Sequence, residues 1–308
     1  MIRRLSAAAV AVVLTSTVAS GCSTFSKNDK AAKVEATSLS VADFETISGD
    51  FAVAGQIANP AGGEYDGTDQ RKILGRWVFA QLLTRKLAAA GTPIDGAART
   101  AAEASLKQQA ADKWPGLHPV TQAFLITELA AQNVLAASPA VPDAAVEAAY
   151  NGGIGQSNTL CLRVVGFTDA TKANDAYDKI LAGAPFADVA DANNADPSLG
   201  AGGVFTNSTT KSECSSANAL NAQIAQSLVQ LPLNTPSTPI TLTGSDGSKQ
   251  YYLFLQRPWS EVAQAAAPLV RQALVPSTAK SLVAGGHAYV DSRYGMWDPA
   301  ALQVTPSR

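Results

Sequence analysis

The chain changes its hydrophobic rhythm near Thr159, and that change limits it to folds in which helical and sheet regions are separate. Before it, apolar residues recur at helical spacing. Ser40 is placed to cap a first helix, with Asp43 in its opening turn and Phe44, Ile47 and Phe51 on one face. Over 69–90, Ile73, Trp77, Ala80, Leu83 and Leu87 make a single stripe, which Gly91-Thr92-Pro93 stops. A weaker Ala-rich helix is predicted over 97–112. Another covers 119–137, with Val120, Phe124, Ala131 and Leu135 to one side, and a short one runs from Pro142 to Tyr150. From Leu160 to Val165 the residues become β-branched and apolar, which predicts a strand. Helices over 171–181, 186–190 and 219–231 and strands over 239–243 and 250–256 complete an order β-α-α-α-β-β. Helix resumes over 261–284, with Pro276 as a potential break.

The start of the chain has a different purpose. Arg3 and Arg4 precede an apolar run, Ala7 to Leu14, that is too short to span a bilayer, and Val18-Ala19-Ser20-Gly21-Cys22 follows. This resembles a bacterial lipobox, with Ala19 where Leu is usual. The resemblance implies that residues 1–21 are a lipoprotein signal peptide and that Cys22 is the lipidation site. Residues 22–38 are polar and read as a tether. Elsewhere no run of 18 apolar residues occurs, so attachment to a membrane would be by lipid anchor. The 308 residues allow about two domains. With Lys+Arg 23 against Asp+Glu 25 there is no basic excess to draw nucleic acid, and no nucleic-acid partner is expected.

Once Cys22 is set aside, Cys161 and Cys214 remain, and an extracytoplasmic compartment permits a disulfide between them. The alternative is two separate buried thiols, since no CxxC spacing brings them together. Two cysteines cannot make a zinc site, and no metal or cofactor is expected. His118, before Pro119, and His287, after Gly285-Gly286, read as solvated loop or cap residues. No Ser-His or Cys-His arrangement and no GxSxG supports hydrolase chemistry.

The β-α-α-α-β-β order resembles the parvulin-type peptidyl-prolyl isomerase domain of SurA-like and PrsA-like exported foldases. Leu160 to Val165 stands for the family's first strand, and Gly183-Ala-Pro-Phe186 to Ala190 for its Gly-x-x-Phe segment. Asp196-Pro197-Ser198 before Gly202-Gly203 stands for its paired-glycine loop, and Tyr251 to Leu255 for its last strand. The resemblance implies an α+β fold. A helical lobe (39–156) would be completed by a C-terminal helix and tail (260–308), with a parvulin-like domain (157–259) inserted between them. It also implies a foldase of the bacterial cell envelope, anchored to the outer face of the cytoplasmic membrane, whose partners are unfolded or exported polypeptides. The family's two site histidines are missing, however. The first would fall at Cys161 or Leu162 and the second at Tyr252, and Gly-Gly-Asp-Leu-Gly is altered to Gly202-Gly203-Val204-Phe205-Thr206. No catalytic residue is therefore assigned, and Phe205 and Tyr252 are the peptide-binding candidates. The expected function is chaperone binding without turnover. The alternatives are an active divergent isomerase and a non-catalytic interaction lipoprotein.

Overall fold

A computed structural model describes residues 29–58, 64–194, 199–207, 211–219, 222–244 and 246–307. Cys22 and Asp196-Pro197-Ser198 lie outside the described residues. The fold is α+β. In chain order the first elements are strands β1 (Lys30–Val34) and β2 (Thr37–Ser40) and helices α1 (Val41–Val53), α2 (Gly67–Ala89), α3 (Gly96–Gln109), α4 (Pro119–Ala137), α5 (Asp143–Asn151) and α6 (Ile154–Ser157). Then come β3 (Thr159–Leu160), β4 (Leu162–Phe167), α7 (Ala170–Leu181), α8 (Phe186–Asn193), β5 (Ser215–Ser216), α9 (Ala222–Val229), β6 (Ile240–Thr243) and β7 (Lys249–Gln256). The long helix α10 (Trp259–Val283) and strands β8 (Tyr289–Val290), β9 (Met296–Asp298) and β10 (Gln303–Thr305) end the chain.

Local chemistry sets the helix ends. Ser40 Oγ accepts from the Asp43 amide at 3.0 Å, the Asp66 carboxylate from Thr68 and Asp69, and Asp95 from Ala98, each satisfying an otherwise orphaned N-terminal donor. Gly91, at φ +77, closes α2, where an L side chain would be strained. The α2 stripe is buried along its length, and it meets Phe44, Ile47, Phe51, Phe124 and Leu135 in one core. The C-terminal helix joins the same core through Val262, Ala266, Val270, Val275, Ala279 and Val283. That buried row carries α10 through Pro276, so the helix does not break there.

The end of the segment 22–38, expected as a polar tether, is ordered structure. From Lys30 onward the chain is strand, and β1 is the centre of a three-stranded antiparallel sheet ordered β2-β1-β8, with Ala32 opposite both Leu39 and Val290. A second sheet, ordered β4-β7-β6, pairs Val164 with Phe254 and Gly166 with Tyr252. One of its faces, with Val165, Phe167 and Leu253, packs on Ala173, Ala176, Phe186 and Val189 of α7 and α8. The other, with Leu162, Val164 and Phe254, packs on Leu228 and Leu231. The single strand expected over 160–165 is two strands separated at Cys161. The reason is the bond that Cys161 makes to Cys214, which β3 and β5 flank as a short ladder.

Candidate functional site

Two places are candidates for a site, and only the second is a hollow. The first is built by the paired glycines. Gly202 and Gly203 have φ of +61 and +72, and a Cβ on Gly203 would clash with the Val164 carbonyl and come within 3.0 Å of Ala190 Cβ. That close approach lays the next two residues along β4: Val204 bridges Arg163, and the Phe205 amide donates to the Leu162 carbonyl at 3.0 Å. Phe205 thereby reaches the sheet face that also carries Leu162, Val164, Phe254 and Tyr252. Opposite Tyr252, Gly166 leaves room for the ring, since a Cβ there would lie 2.9 Å from a Tyr252 ring carbon. Tyr252 and Phe254 stand 6.1 Å apart, and the Tyr252 hydroxyl is hydrogen-bonded to Gln250.

Phe205 and Tyr252, far apart in sequence, therefore share one half-buried apolar face. Of the two positions left open for the first histidine, Leu162 lies on that face, and Cys161 belongs instead to the helical core. The described side chains here can grip a prolyl or aromatic ring through apolar contact, and the Tyr252 hydroxyl is the polar group they add. Gly203→Ala is expected to cost about 2–3 kcal/mol, because a strained backbone and an overpacked contact add together. An unchanged thermal midpoint would show that the glycine is not needed there.

Beneath this face lies a polar joint to α10. Arg163 donates to the Gly202 carbonyl at 3.0 Å and pairs with Glu261 at 2.9 Å, while buried Arg257 pairs with Glu261 at 3.2 Å and Glu213 at 2.7 Å. Burial pushes the Glu261 carboxyl up, but hydrogen bonds and charge from the two guanidiniums outweigh it and hold the group below its ordinary range. Sequence reasoning missed this joint, because Arg163 and Glu261 are 98 residues apart.

The second surface is a groove of about 800 Å³ bounded by α2, α4, α10 and the β9-β10 hairpin, with Phe79, Val275, Pro276, Ala279, Leu302 and Val304 among its apolar lining. A hollow of about 470 Å³ adjoins it, lined in part by Phe51, Leu106, Trp114 and Leu125. Both touch Arg76 and Glu128, whose 2.6 Å ion pair forms the ridge between them, with the guanidinium 5.2 Å from the centre of the Phe51 ring. His118 caps α4 with its backbone. Its amide and Nδ1 meet the buried Asp50 carboxylate at 2.9 and 2.8 Å, a contact across 68 residues that the sequence does not announce. His287 is exposed. Among the described residues no group of three His, Cys, Asp or Glu side chains could hold a metal ion, and no helix is long and apolar enough to cross a membrane.

No protein-family profile matches the chain, and no curated protein does. Among solved structures it is similar to foldase protein PrsA from Lactococcus lactis, at 15% identity and a TM-score of 0.32, over 86% of this chain and 95% of that one. PrsA from Streptococcus pneumoniae gives 14% and 0.31, over 81% and 89%. PrsA from Bacillus subtilis gives 14% and 0.28, over 84% and 93%.

Proposed function

We propose that this chain is a lipid-anchored chaperone of the bacterial cell envelope that binds unfolded exported polypeptides, and that its parvulin-like domain holds peptide without isomerising it. The observation that carries this reading is the pair of apolar hollows in the helical region, the larger about 800 Å³. A groove of this size takes several side chains of an extended segment, whereas a flat polar surface would favour a single folded partner. In this reading residues 39–156 and 260–308 form the binding lobe, and residues 157–259 form the parvulin-like domain. Prolyl isomerisation must cross a barrier of about 18–20 kcal/mol, and an enzyme lowers it with polar groups fixed in a dry pocket. By the resemblance, the family's histidines would fall at Cys161 or Leu162 and at Tyr252, and their replacement supports binding over turnover. Cys22 would carry the acyl chains, at least two being needed for stable attachment.

The test uses the full chain in two assays. Aggregation of an unfolded client should slow in proportion to added protein. A proline-limited refolding phase, which takes tens to hundreds of seconds uncatalysed, should keep its rate. Acceleration of that phase, abolished by Tyr252→Ala, would establish a divergent isomerase instead. Undiminished suppression of aggregation by Phe79→Asp would remove the groove from the account. For the anchor, Cys22→Ala should move the protein from the membrane to the soluble fraction, and an unchanged distribution would refute it.

A further inference from the structure

The larger groove carries a charge opposite to that of its own chain. The whole sequence has a formal net charge of −2, yet the groove's lining holds Arg71, Lys72, Arg76 and Lys280 against one carboxylate, Glu128. Arg76 is spent on Glu128 at 2.6 Å, and Lys72 is engaged by Asp69 at 3.0 Å. Arg71 and Lys280 stand on opposite walls, one on α2 and one on α10. Arg71 contacts the Thr68 hydroxyl at 3.2 Å and lies close to the exposed Asp66 carboxylate, whose pKa the Thr68 and Asp69 amides and, to a lesser degree, the Arg71 charge lower, but among the described residues neither Arg71 nor Lys280 makes a salt bridge. Between them runs the apolar lining of Phe79, Val275 and Ala279. Cations on both sides of an apolar strip complement one kind of occupant. We infer that the groove selects apolar segments of unfolded polypeptide flanked by acidic side chains, a specificity that rests on the chaperone reading above.

Exposed charge pairs contribute modestly, so the preference should be a bias, not an absolute filter. Acetylated and amidated peptides, which carry no terminal charges, would share one apolar centre and differ only in flanking glutamates or lysines. Fluorescence anisotropy with the full chain should find the glutamate peptide bound about five- to tenfold tighter at low salt. The gap should close near 1 M salt, where the screening length falls to about 3 Å. Arg71→Glu with Lys280→Glu should reverse the order. Lys280→Glu alone, at an exposed position, should narrow it without any demand on the packing of Arg71. Equal affinities, a lysine preference, or a glutamate preference that survives the double substitution would each overturn the inference while leaving the chaperone reading intact. Failure of every peptide to bind would overturn both.

Discussion

Replacing Cys161 and Cys214 together by alanine should cost about 4 kcal/mol, the chain-entropy value for a closed loop of 53 residues. The bond closes that loop with Cα atoms 4.3 Å apart, and both cysteines are buried against the helical core. It also anchors Ser215 and Ser216 beside Thr159 and Leu160, so its loss frees the β5 ladder as well as the loop. Urea unfolding of the native chain with and without reductant, set beside the double variant, measures the effect. A midpoint shift equivalent to less than about 1 kcal/mol would mean that the ladder and the Arg257 ion pairs hold the segment unaided.

Tyr150→Ala should be of similar size, about 3–5 kcal/mol, as for other large buried rings. Tyr150 is fully buried beneath the Trp259 ring, with centroids 5.3 Å apart. Its hydroxyl donates to the Arg257 carbonyl at 2.8 Å and accepts from Gln256 Nε2 at 2.9 Å. Gln256 in turn reaches the Thr159 carbonyl and the Cys161 amide, so one phenol ties α5 to the β3-β5 ladder and to the β4-β7-β6 sheet. Burial pushes the Tyr150 phenol well above its ordinary range, so the hydroxyl stays a donor at any working pH. Tyr150→Phe keeps the ring and should cost only about 1–3 kcal/mol, the penalty for leaving the Arg257 carbonyl and the Gln256 amide without their partner. Equal losses in the two variants would assign the whole effect to the hydrogen bonds.

The sequence makes most of the helices legible because their stripes are long and their caps are chemically explicit. Ser40, the α2 stripe and the Pro119 start all stand where periodicity and capping put them. Strand β1 is illegible for a physical reason: Lys-Ala-Ala-Lys-Val has one β-branched residue and no clean alternation. It becomes a strand because β2 and β8 satisfy its backbone from both sides, and β8 lies more than 250 residues away. The sheet face shows both limits at once. Phe205 and Tyr252 are visible as candidates, and Gly202-Gly203 as the turn that delivers one of them. The choice between Cys161 and Leu162, by contrast, depends on which core each side chain enters, and only three-dimensional packing decides that. The groove is least legible of all. Its walls come from α2, α4, α10 and the last hairpin, and no local pattern records that they leave space between them.

The pairing of β1 with β8 has a consequence for the order in which a chain emerging N-terminus first can complete its fold. Residues 159–256 carry both sides of the second sheet within one continuous stretch, so their pairing is available as soon as that stretch has emerged. Strand β1, among the first residues described, must wait for Tyr289 and Val290, and the helical core must wait for α10. Helices α1 and α2 can meet α4 early, but they wait longest for α10, as β1 does for β8. A chain truncated after Pro258 and released should show protease protection in the sheet segment and weaker protection in α1 and α2 than the full chain shows. Equal protection of α2 would mean that the N-terminal helices close on one another before the end of the chain arrives.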